Sequence, residues 1–143
     1  KMNEDNNLER FIDAQETAYQ VALSEIKNGR KRSHWMWFIF PQIHGLGFSE
    51  TSKLYAIKDL REAEVFLQHP VLGRRLVAIC NGLLALKTND ANTIFGSPDD
   101  LKLRSSMTLF SAVNNTDPVF LQVLDKFFDG IKDYKTIAKI GRI

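Results

Sequence analysis

Leu8, Phe11, Ile12, Tyr19, Ala22, Leu23 and Ile26 recur at the spacing of one helix face. Gly29 follows where a closing helix needs a residue tolerant of the left-handed region. Ser33 is placed to cap a short second helix, and Pro41 must end it, because the residue before a proline avoids helical geometry. Gly45-Leu-Gly47-Phe-Ser49 reads as a loop, with Ser49 capping a short helix that runs to Tyr55. Asp59 opens another helix, with Glu62 at the capping-box position. Pro70, Pro98 and Pro118 each follow a plausible cap residue, and proline is favoured at the first helical position. They open helices over 70–87, 98–113 and 118–129. Leu72, Leu76, Ile79, Cys80, Leu83 and Leu84 form the apolar stripe of the first of these, and Gly130 closes the third. Asp133 caps a last helix, Tyr134 to Ile140. No alternating strand pattern of useful length is present. The expectation is an all-α protein, a compact single-domain bundle of about seven helices. Residues 1–7 are expected to form a flexible N-terminal segment, and 8–143 a single helical domain.

Composition narrows the class. A chain of 143 residues with 44% hydrophobic and 25% charged residues suits one globular core and fits disorder, collagen or a coiled coil poorly. A net charge of +2 is too slight for a dedicated nucleic-acid binder. Basic residues such as Lys53, Arg74, Arg75, Lys135, Lys139 and Arg142 are scattered without an evident common face, so nucleic acid is an unfavoured partner. The longest apolar run, Trp35 to Pro41, is far short of the ~20 residues that span a bilayer. The polar start KMNEDNNLER carries no apolar signal-type run. With a lone Cys80, which can make no internal disulfide, a reduced cytoplasmic setting is expected and no membrane association.

Candidate chemistry centres on Ser33-His-Trp-Met-Trp-Phe-Ile-Phe-Pro-Gln42, which holds both tryptophans. Arg30, Lys31 and Arg32 stand directly before it. Cations at a helix N-terminus attract anions, and tryptophan faces stack on rings, so the segment suits a nucleotide-like ligand. Met36, Phe38, Ile39 and Phe40 read as core; His34, Trp35 and Gln42 read as the edge of a site. The Gly45–Gly47 loop would let a backbone approach an anion. Ser105, Ser106 and Thr108 are poor helix formers in mid-helix, so they either allow close packing or offer hydroxyls, with Lys102 and Arg104 within a turn. Lys31, Arg32, His34, Trp35, Gln42, Lys102, Arg104 and Ser105 are the candidate ligand-binding set. His34 and Glu62 are the candidate acid or base if there is catalysis. Histidines at 34, 44 and 69 have no metal spacing, and no motif asks for a metal or a cofactor.

Taken together, SHWMWFIFPQ, the GLG loop with Ser49 and Tyr55, Glu62-Ala63, HPVLGRRL (His69 to Leu76), FGSPDDLKLRSSMTLF (Phe95 to Phe110) and KFFDG (Lys126 to Gly130) resemble the bacterial domain-of-unknown-function family 1810, from about Leu8 to Ile137. The resemblance implies a mainly helical fold and no particular chemistry. Some members carry the label calpastatin, which fits a core-forming composition poorly, because a flexible polar inhibitor would bury little. A looser likeness, of Arg104-Ser-Ser-Met followed by Lys126-Phe-Phe-Asp-Gly, is to the NADAR domains, small helical proteins associated with ADP-ribose and NAD-derived compounds. The leading expectation is therefore a polar and aromatic pocket for a phosphate-bearing or nucleotide-like small molecule, with hydrolysis of an ADP-ribose- or NAD-type compound as the reaction class if the protein is an enzyme. The alternative is a non-catalytic module that docks a protein partner through an exposed aromatic patch.

Overall fold

The computed structural model describes residues 4–141, with side chains from Leu8 onward. It is all-helical, and among the described residues nine helices appear rather than about seven. They are α1 (Glu4–Lys27), α2 (Met36–Ile39), α3 (Glu50–Leu54), α4 (Leu60–Gln68), α5 (Leu72–Leu84), α6 (Ala91–Phe95), α7 (Asp99–Ser111), α8 (Val119–Phe128) and α9 (Tyr134–Ile140). The element absent from the sequence reading is α6, five residues capped by Asp90 and too short to show a periodicity. Of the expectations for the termini, part of the N-terminal segment and Arg142 lie outside the described residues.

The punctuation acts largely as read. Ser49, Asp59 and Asp133 each accept a backbone N–H three residues on, at the starts of α3, α4 and α9. Gly29 takes φ of +79° after α1. Ser33 differs: α2 starts only at Met36 without a side-chain cap, because the Ser33 hydroxyl is bonded to Glu25 instead.

Helix α7 is the centre, buried from Ser105 through Phe110 and packed by α4, α6, α8 and α9. A ladder of rings crosses the core: Phe11 of α1 meets Phe66 of α4 edge-on at 5.2 Å, Phe66 meets Phe110 of α7 at 5.4 Å, and Phe110 meets Phe120 of α8 at 5.8 Å. Such pairs add to simple area burial. Two of the three mid-helix hydroxyls are bonded within this packing, while Ser106 Oγ is buried without a partner. Ser105 Oγ donates back to the Leu101 carbonyl, and Thr108 Oγ1 donates to Arg104 O while accepting the Asp133 N–H at the start of α9. Cys80 is fully buried on α5 with Sγ 3.6 Å from Met107 Sδ, and burial pushes its thiol pKa up, so it packs as a small hydrophobe.

Candidate functional site

The segment 33–42 is wedged between α1 and the rest of the bundle. Buried Gln15 of α1 fixes it by donating from Nε2 to the Phe38 carbonyl at 2.9 Å. Further on, the backbones at 42–44 and 57 exchange two hydrogen bonds, Ile57 N–H to Gln42 O and His44 N–H to Ile57 O, both 2.8 Å. These ties hold the segment as a wall with two clefts against it, and Trp37 lines both.

The smaller cleft, about 160 Å³, brings together Lys31, His34, Trp35 and Lys102 from the candidate set, with Thr51 and Asp99. Its two lysines share one carboxylate. Asp99 lies between the two lysines, with Oδ2 2.9 Å from Lys31 Nζ and Oδ1 2.9 Å from Lys102 Nζ. Burial raises the Asp99 pKa, but the hydrogen bonds from Lys102 and Lys31 and their charges outweigh it and hold the carboxyl low. Lys102 Nζ also sits 4.3 Å from the Trp37 ring centroid, covering that face.

The anion position ahead of α2 is occupied by the chain itself. Glu25, near the end of α1, accepts the Arg32 and Ser33 N–H groups, the Ser33 hydroxyl and the Trp35 indole N–H at 2.5–3.1 Å. Burial pushes its pKa up, yet the hydrogen bonds from the Ser33 hydroxyl, Arg32, Trp35 and the Ser33 backbone prevail and leave it at about 2. Trp35 is 1% exposed and packs edge-on against Phe95, so its ring faces the core. The Arg32 side chain is exposed beside this arrangement.

The larger cleft, about 320 Å³, lies on the other side of Trp37. Its walls are Trp37, Ile43, Leu46, Phe48, Tyr55 and Ala56, with Gln42, His44, Ser52 and Lys53 as the polar groups. Gln42 is 6% exposed, and its Nε2 is buried with no hydrogen-bond partner. A buried donor left unmade costs about 1–3 kcal/mol. The Gly45–Gly47 loop forms the rim. A Cβ on Gly47 would stand 2.7 Å from Ser52 Cβ and 3.1 Å from Trp37 Cη2, so only glycine lets the loop close on the ring. Phe48 is 86% exposed at this rim.

Besides the exposed Arg32, three candidates stand apart from both clefts. Glu62 is buried on α4, accepting the Lys58 N–H at 2.8 Å and pairing with Arg10 at 3.5 Å, while Arg10 also donates to the Leu54 and Ala56 carbonyls. Arg104 lies 4.0 Å from Asp133 Oδ1. Ser105 is engaged with its own helix. His34 stays exposed in the small cleft. The residues that pattern reading passed over are Glu25, Asp99, Ser52 and Lys53. Of the two tryptophans read as stacking faces, Trp37 lines both clefts while Trp35 is buried. Among the described residues no three His, Cys, Asp or Glu side chains gather as a metal would require, and no helix is long and apolar enough to cross a membrane.

Comparison with known proteins places these features in a family. A model described as "Protein of unknown function (DUF1810)" matches residues 5–140. The chain is also similar to a conserved hypothetical protein, Rv1873 from Mycobacterium tuberculosis, known from a crystal structure. The two share 42% sequence identity and a TM-score of 0.92, over 94% of this chain and 96% of that one. No curated protein matches.

Proposed function

The chain belongs to the family of proteins of unknown function DUF1810, and on that footing we propose that it binds a small molecule in the larger Trp37 cleft. The observation that carries this reading is Gln42, a residue of the cleft wall whose buried amide donor has no partner, beside the rings of Trp37, Phe48 and Tyr55. A ligand acceptor that reached Nε2, which is covered and would need a small turn of the amide, would relieve the cost of the orphaned donor, and flat apolar walls favour a ring beside it. Size selects among the phosphate-bearing and nucleotide-like ligands expected from the sequence. At about 320 Å³ the cleft is at the lower end of small-molecule sites, suited to one ring system with a short arm and too small for a dinucleotide such as NAD.

Binding without catalysis is the reading the site favours, because of the two candidate acid–base groups Glu62 is committed to Arg10 and the Lys58 N–H, and His34 lines the smaller cleft and not the larger one. The burial of Trp35 and the half-burial of Trp37 under Lys102 support a ligand cleft over an exposed tryptophan patch for a protein partner.

The test is a panel of single-ring compounds read by both thermal shift and tryptophan fluorescence. A ligand at a hundred times its Kd raises stability by about 2.7 kcal/mol, a shift of several degrees. It should also change the emission of Trp37, and that change should vanish in Trp37→Phe, which keeps Trp35. A thermal shift whose fluorescence response is unaltered in Trp37→Phe would place the ligand elsewhere.

A further inference from the structure

Resting on that binding reading, we infer that the ligand of the larger cleft is an anion, a ring bearing a carboxylate or phosphate, with its charge seated at the α3–α9 end between Lys53 and Lys139. None of the residues lining the cleft is acidic. Lys53 lines it from α3, and Lys139 reaches its rim from α9. A Cβ on Gly45 would stand 2.5 Å from Lys139 Nζ, so the ammonium lies directly over the loop backbone. Gly45 itself has φ of +91°, a conformation that a side chain would strain.

Among the described residues neither lysine is in an ion pair, in contrast to Lys31 and Lys102, which share the Asp99 carboxylate across Trp37. Lys53 and Lys139 are both exposed, so solvent screens their charge, but no carboxylate among the described residues is paired with them. The polar side chains of the cleft include donors, namely Gln42 Nε2, the His44 imidazole, the Lys53 ammonium and the Tyr55 hydroxyl, while the Ser52 hydroxyl gives its proton to the Ser49 carbonyl. A donor-rich, acid-free wall beside an aromatic one selects an anionic ring and disfavours a cationic one. The two unpaired lysines and the orphaned amide are independent observations, and both find their partner in the same ligand.

The experiment compares matched probes by calorimetry on the full chain: benzoate with benzamide, and AMP or phenyl phosphate with adenosine or phenol. Anions should bind more tightly than their neutral partners, and raising the ionic strength should close the gap. Benzoate against phenyl phosphate then separates a carboxylate ligand from a phosphate one. Lys53→Gln and Lys139→Gln are surface changes that leave the fold intact, and each should weaken anion binding roughly threefold or more while leaving the neutral probes unchanged. Equal binding of both members of every pair, with no effect of either lysine, overturns the anionic assignment and leaves the cleft as a site for neutral rings. Binding of neither member of any pair overturns the site itself.

Discussion

At the residue scale, the chain supplies its own counter-ions where the sequence suggests an external one. Four donors converge on Glu25, so the turn 29–33 and the Trp35 indole are held by one carboxylate. Its pKa lies at about 2, below the ordinary value of 4.5. A depressed carboxyl contributes stability that is fully present above the unfolded pKa and is lost as the pH falls through the folded one. Stability from Glu25 should therefore fade between about pH 4.5 and 2. Glu25→Gln cannot satisfy all four donors and should lose about 1–3 kcal/mol at neutral pH. Melting curves across this window should show the wild type losing its advantage over the variant as the pH falls. Parallel curves would mean that the charge on Glu25 does not matter to the fold.

At the element scale, helix contacts are set by small residues as much as by large ones. Gly73 in the first turn of α5 lies against the Leu67 carbonyl of α4, and a Cβ there would sit well inside contact distance of that oxygen. Backbone cannot swing aside as a side chain can. Gly73→Ala should therefore force α4 and α5 apart and cost about 2 kcal/mol or more, several degrees in Tm. A variant that melts with the wild type would show that the crossing is looser than described. The elements were legible in the sequence to the extent that their information is local. Caps at Ser49, Asp59 and Asp133, the stop at Gly29 and the long apolar stripes sit within a few residues of what they control. Helix α6 escaped because five residues carry no period. The Glu25 and Asp99 pairings escaped because each depends on a distant segment folding back. Lys31 reaches an aspartate 68 positions on only because the Lys31 N–H is tied to Ile94 O at the end of α6, just before α7.

At the scale of the whole molecule, the bundle uses one segment, 33–42, for two purposes. Trp35, Met36, Ile39 and Phe40 face inward and are buried, while Trp37 stands between two clefts and Gln42 closes the back of the larger one. Of the eight candidate ligand-binding residues, Lys31, His34, Trp35 and Lys102 line the smaller cleft and Gln42 the larger, while Arg32, Arg104 and Ser105 line neither. That the unmatched donors lie on the far side of Trp37 could be read only once α3, α9 and the glycine loop were placed around it. The central claim is that Gln42 is kept for a ligand and not for the fold, and the thermal melt of Gln42→Leu without ligand tests it most directly. Replacing an unpartnered buried amide by an apolar side chain of similar size removes a cost, so the variant should melt at or above the wild-type temperature while losing the ligand-induced shift. A Tm several degrees below wild type would show instead that the amide holds the fold together, and would contradict the account.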